Sequence, residues 1–246
     1  MPSPTNPFGQ SPIPCWYPSP KPPANVYDTP ITIIVGHPGS EKTYHIYRSL
    51  LCHRSRYFDR LLNGPFAESG ANTLRLKHVN SATFQVFYDW INTGVVDFTT
   101  SIARTLTDRP TDGADADADA ATPLLILSAY TFSTYHLIPL FSTALLDVFY
   151  THTMQTQRLH ACLIPVLYKY TTEGDAMRRL FVDLWIESRG AEGVGKKVLE
   201  TLEGEFFVDW VVGCRERGLV LGGKGWEERM RRVRRGGFCA RYHRHG

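Results

Sequence analysis

Between Ile31 and Leu62 the spacing of the apolar residues changes from every second position to every third or fourth. The chain must therefore pass from strand into helix within a short span. Ile31-Thr32-Ile33-Ile34-Val35 is a β-branched run, which favours a pleated strand over a helix. It ends at the turn cluster Gly36-His37-Pro38-Gly39, and Lys42 to Ile46 follows as a second strand with Tyr44 and Ile46 on one face. The two predict a hairpin. From Arg48 the period is helical: Leu51, Ser55, Phe58 and Leu62 lie at i, i+4, i+7 and i+11, one stripe of a single helix. Asn63-Gly64-Pro65 stops it.

Leu74-Arg75-Leu76 alternates as a third short strand. Asn80 or Ser81 can then cap a helix carrying Phe84, Phe87, Tyr88 and Ile91, which Thr93-Gly94 ends. Val86 and Trp90 widen its apolar face, so burial on more than one side is expected. Residues 99–122 break the pattern; Asp115, Asp117 and Asp119 alternate with Ala as a solvated acidic loop. That alternation lacks the glycine turn and terminal Glu of a calcium loop. Helical patterning resumes from Pro123 to about Tyr135 and again from Pro139 through Val148. Further helices are predicted over Leu159–Tyr170, Asp175–Ser188 and Glu205–Arg217. Strand, strand, helix, strand, broad helix and helical pair give an α+β class in which helices outnumber strands.

The flanks read differently. Residues 1–26 carry Pro at nine positions, and each Pro fixes φ and removes a donor, so this leader is expected to be disordered. It begins without a charged segment and an apolar block, and no run approaches about 18 apolar residues. A cytoplasmic or nuclear location, or both, and no membrane association are expected. Five widely spaced cysteines fit reduced thiols better than a disulfide framework. Cys52 and Cys162 lie in apolar helical patterns and are expected in the core. The net charge of +3 is concentrated at one end. From Lys224 onward eight Lys/Arg face only Glu227 and Glu228, which leaves the body net negative.

Tyr44 through Phe58 combines an aromatic residue, alternate apolar residues, Arg48, Leu50-Leu51 and Ser55-Arg56-Tyr57-Phe58. Asn63-Gly64-Pro65-Phe66-Ala67-Glu68-Ser69, Leu74-Arg75-Leu76 and the helix end Trp90-Ile91-Asn92-Thr93-Gly94 follow in register. This joint pattern, over roughly 31–150, resembles the BTB/POZ domain. Tyr168 to Gly174 with Arg178-Arg179-Leu180 is similar to the region after BTB domains in many filamentous-fungal proteins. Tyr47 departs from the pattern, which usually has His there. The resemblance implies a helical cluster flanked by a small three-stranded sheet, followed by an α-helical extension and used to bind other proteins. The expected organisation is a leader at 1–26, a BTB/POZ-like domain at 27–150, a helical extension at 151–220 and a basic tail at 221–246. The Pro-rich leader cannot supply the extra helix and strand of the family's swapped dimers, so self-association of another kind is a candidate.

Phe66-Ala67-Glu68 resembles the apolar-x-acidic loop by which some BTB proteins dock on a cullin scaffold. Phe66 and Glu68 are therefore the candidate partner-binding residues: an aromatic anchor fills a pocket and a carboxylate orients it. Enzymatic activity is not expected. None of the nine histidines pairs with Cys or Asp at a catalytic spacing, and GxSxG, P-loop and HExxH patterns are absent. Gly222-Gly223-Lys224-Gly225 lacks the Ser/Thr of a phosphate loop. Cys239, His243 and His245 fall short of the four ligands of structural zinc, so neither metal nor cofactor is expected. Arg231, Arg232, Arg234 and Arg235 are candidates for nuclear import or for nonspecific nucleic-acid contact. Two functions emerge: an adaptor of a cullin-based ubiquitin ligase, or a nuclear transcription- or chromatin-associated scaffold.

Overall fold

The structure is a computed structural model that describes residues 22–66, 70–96, 98, 120–189, 202, 204–217 and 242. The chain divides into two compact units, Ser19–Phe149 and one built from Tyr150–Gly246.

In the first unit, β1 (Pro30–Val35) and β2 (Lys42–Tyr47) pair antiparallel, with Ile33 opposite Tyr44 and Ile31 opposite Ile46. Gly36 closes the connection at φ 111°, where a Cβ would lie 3.1 Å from the Ser40 carbonyl oxygen, so Gly is needed there twice over. β3 (Thr73–Leu76) joins the other edge of β1 in parallel, giving the order β2-β1-β3. Alternation turns Ile31, Ile33, Val35, Tyr44, Ile46 and Leu74 into the core.

The single helix expected from Arg48 to Leu62 is two helices, α1 (Arg48–Arg54) and α2 (Arg56–Asn63). Ser55 breaks it in extended conformation, φ −137° and ψ 116°. Its hydroxyl accepts from the Phe58 N–H at 3.1 Å and donates to the His136 carbonyl at 2.6 Å. A serine at an N-cap satisfies an orphan helix donor, so the break is capped, and the apolar stripe continues across it.

α3 (Ser81–Thr93) starts at Asn80, whose side chain accepts from the Ala82 N–H at 2.7 Å, and ends at Gly94 with φ 76°. It buries Phe84, Val86, Phe87, Trp90 and Ile91, so both sides of its apolar face are covered. Phe87 meets Phe132 of α4 (Ala121–Tyr135) at 5.2 Å, and Trp90 meets Phe141 of α5 (Pro139–Thr156) at 4.8 Å between ring centroids. α4 closes through Leu137 at φ 52°, with the Ile138 N–H on the Ser133 carbonyl at 2.9 Å. Leu takes the left-handed place that Gly usually fills.

The second unit contains α6 (Leu163–Tyr170), α7 (Ala176–Arg189) and α8 (Gly204–Glu216). Helix was expected from Leu159, but Gln157 has φ 53° and α6 starts only at Leu163. Cys162 precedes that start and is exposed, and Cys52 is only half-buried, so neither is the core cysteine expected. Phe206 of α8 packs against Trp185 at 5.4 Å and Tyr168 at 5.6 Å. Buried Arg178 ties three elements together. It donates to the Tyr168 and Thr171 carbonyls and to Thr171 Oγ1, pairs with Glu205 at 2.7 Å, and lies 4.1 Å over the Tyr168 ring. The Tyr168 hydroxyl donates to Asp209 at 2.6 Å; burial first, then this bond, push its pKa well up, so it stays a donor. Asp183 of α7 accepts from both Arg217 and the buried hydroxyl of Tyr242.

Candidate protein-interaction site

Phe66 follows α2, and the way that helix ends decides how its ring is presented. The Gly64 N–H closes on the Arg60 carbonyl at 2.8 Å, and a Cβ on Gly64 would lie 2.3 Å from that oxygen. Only glycine fits, because any other side chain would strike the last helical turn. Two residues on, Phe66 is 54% exposed. An aromatic ring this open is unusual beside a core that buries its neighbours Phe58 and Leu62 completely.

The stem of the loop is clamped. The Arg48 guanidinium donates to the Leu62 carbonyl at 2.6 Å, to the Ala71 carbonyl at 3.3 Å and to Asn63 Oδ1 at 3.2 Å. The Gly70 N–H reaches the same Leu62 carbonyl at 3.3 Å. Arg48 thus holds both ends of the segment that carries Phe66, using the planar fork that lets one guanidinium serve several acceptors. Arg48 is part of the sequence pattern over Tyr44–Phe58, but no role for it was legible, since its acceptors are backbone carbonyls with no sequence signature. Glu68 lies outside the described residues, as do Arg231, Arg232, Arg234 and Arg235.

A second apolar area surrounds the α4–α5 turn. Tyr135 and Leu137 are exposed, and Tyr57 lies 5.9 Å from Tyr135 between ring centroids. Beneath them His136 is buried, stacked on Phe58 at 5.2 Å with Nδ1 2.8 Å from the Phe132 carbonyl. Burial pushes its pKa down, so the ring is held neutral.

No group of three or more His, Cys, Asp or Glu among the described residues could hold a metal ion. No helix among them is long and apolar enough to cross a membrane. What the first unit offers instead is a three-stranded mixed sheet, capped helices and an aromatic side chain presented on a clamped loop.

Residues 28–108 match the BTB/POZ domain. The match spans about a third of the chain, from just before β1 to beyond α3, whereas the resemblance in the sequence ran on to 150. A BTB/POZ domain indicates a protein–protein interaction module; the family is generally non-enzymatic, and its members bind other proteins and self-associate. No curated protein matches the chain.

Proposed function

We propose that this chain is an adaptor that docks on the cullin scaffold of a ubiquitin ligase through the loop bearing Phe66 and Glu68, while the helical extension holds the protein to be modified. The observation that supports it is the outward Phe66 ring on a stem clamped by Arg48. A preorganised aromatic anchor loses little entropy on entering a pocket, and such anchors dominate the energetics of interfaces. The likeness of Phe66-Ala67-Glu68 to an apolar-x-acidic docking loop supports a cullin scaffold as the partner.

The test is calorimetric titration of the full chain against the N-terminal domain of the host's cullin. Binding of about −8 kcal/mol or tighter, weakened at least about tenfold by Phe66→Ala and by Glu68→Ala, is the expected result. A folded chain that shows no heat of binding removes the adaptor reading. The second reading, a nuclear scaffold, draws support from the cluster Arg231, Arg232, Arg234 and Arg235. Replacing those four by Gln would then abolish nuclear residence and leave cullin binding untouched. Any nucleic-acid affinity of the tail should fall steeply with salt.

A further inference from the structure

Four apolar side chains of α8 face outward. Phe207, Val208, Val211 and Val212 are 47–59% exposed, while Phe206 and Trp210 of the same helix are buried. Their spacing places them in one stripe along the helix. Local structure does not explain it. Valine is a weak helix former whose branched Cβ loses χ1 freedom against the preceding turn, so three valines on an open helix face cost stability. Scattered exposed apolar residues need no cause, but a contiguous stripe of them marks a contact.

The charges at its ends identify the occupant. Glu205 stands in the first turn of α8; Arg215 stands in the last, in line with the apolar stripe, with Glu216 turned about 100° further round the helix. A parallel second copy would set Glu205 on Glu205 and Arg215 on Arg215. An antiparallel copy, related by a two-fold axis between Asp209 and Trp210, sets Phe207 against Val212 and Val208 against Val211. It brings each Arg215 to the partner's first turn, where Gly204 has no side chain to obstruct it, beside Glu205, whose Oε2 already holds Arg178 of its own copy but whose side chain is 73% exposed. The face is complementary to itself, which is the condition for an isologous contact.

We propose that α8 is a self-association surface on which two copies of this chain pair antiparallel through Phe207, Val208, Val211 and Val212. The helix has 13 residues and spans about 20 Å, so the contact is small and the dimer dissociates on dilution.

Sedimentation of the full chain from about 1 to about 100 μM tests this. The expected mass rises with concentration from 27.9 kDa toward twice that value. Val208→Glu and Val211→Lys, each judged folded by circular dichroism, stay at the monomer mass throughout. Mixing the two variants restores the doubled mass, because positions 208 and 211 oppose each other across the antiparallel pair and the new charges attract. A chain that is monomeric at every concentration overturns the proposal. So does a dimer that survives Val208→Glu, which would place self-association on another surface. Failure of the mixture to re-form the dimer overturns the antiparallel register.

Discussion

Arg48→Lys separates the geometry of the loop clamp from its charge. Lysine keeps the cation but offers one nitrogen where two separately placed guanidinium nitrogens serve the Leu62 and Ala71 carbonyls. The 2.6 Å bond to Leu62 is part-buried and charge-assisted, and its loss costs about 1.5–2 kcal/mol. The 3.3 Å bond to Ala71 is long and adds roughly 0.5 kcal/mol; the exposed bond to Asn63 adds about nothing. Arg48→Met should lose the full sum, about 2–2.5 kcal/mol, and Arg48→Lys about half of it. For a domain of this size that is about 6–9 °C in the melting temperature of the first unit for the Met variant. Scanning calorimetry gives this shift, and hydrogen exchange at the Gly70 amide, which shares the Leu62 carbonyl, reports the stem itself. The reasoning is refuted if both variants melt within about 1 °C of the parent, or if Gly70 exchange is unchanged in the Met variant.

Asn80→Ala removes the cap of α3 and should cost about 1 kcal/mol by denaturant midpoint; a change under a few tenths would mean the cap is redundant. Arg178→Met leaves the carbonyls of Tyr168 and Thr171 without their donor and should destabilise the second unit by about 3 kcal/mol or more, with no recovery in Arg178→Lys. The pKa values of His136 and His152 are both lowered from 6.5, His136 by burial and His152 by burial and then His160. The unfolded chain therefore binds more protons than the folded one below 6.5. Stability should be full above that value and fall as pH drops through it toward the lowered values, and urea midpoints that rise between about pH 7 and 5.5 would contradict this.

Elements specified by neighbours in sequence were legible in it. The β-branched run at Ile31–Val35, the glycine turn after it, the Asn80 cap and the Gly94 stop are local signals, and each element appears where its signal lies. What escaped reading depends on distant residues. The apolar stripe from Leu51 to Leu62 is continuous, so its period cannot reveal the break at Ser55, which is held by a carbonyl 81 residues away. The start of α6 was read too early because the apolar pattern around Leu159 continues through non-helical backbone. The parallel pairing of β3 with β1 requires a long crossover and has no local signature. For the site, Phe66 was legible as part of a motif, but its exposure was not. That exposure comes from Gly64 stopping α2 and from Arg48 holding the stem. The stripe on α8 was visible as letters, yet a helix with Phe206, Phe207 and three valines reads as buried all round until packing shows which side is covered.

The hydrogen bond between Tyr242 and Asp183 joins residues 59 positions apart in sequence. A ribosome adds roughly 5–20 residues per second, so the Asp183 carboxylate is made about 3–12 s before the hydroxyl that completes its surroundings. Arg217, 34 positions after Asp183, arrives a little past the midpoint of that interval and supplies a neutralising contact. The first unit has a longer wait of its own, because the Ser55 hydroxyl meets the carbonyl of His136, 81 positions later. Synthesis thus imposes an order: the first unit is complete once Phe149 has been made, while the helical unit is still short of the tyrosine that meets its buried Asp183.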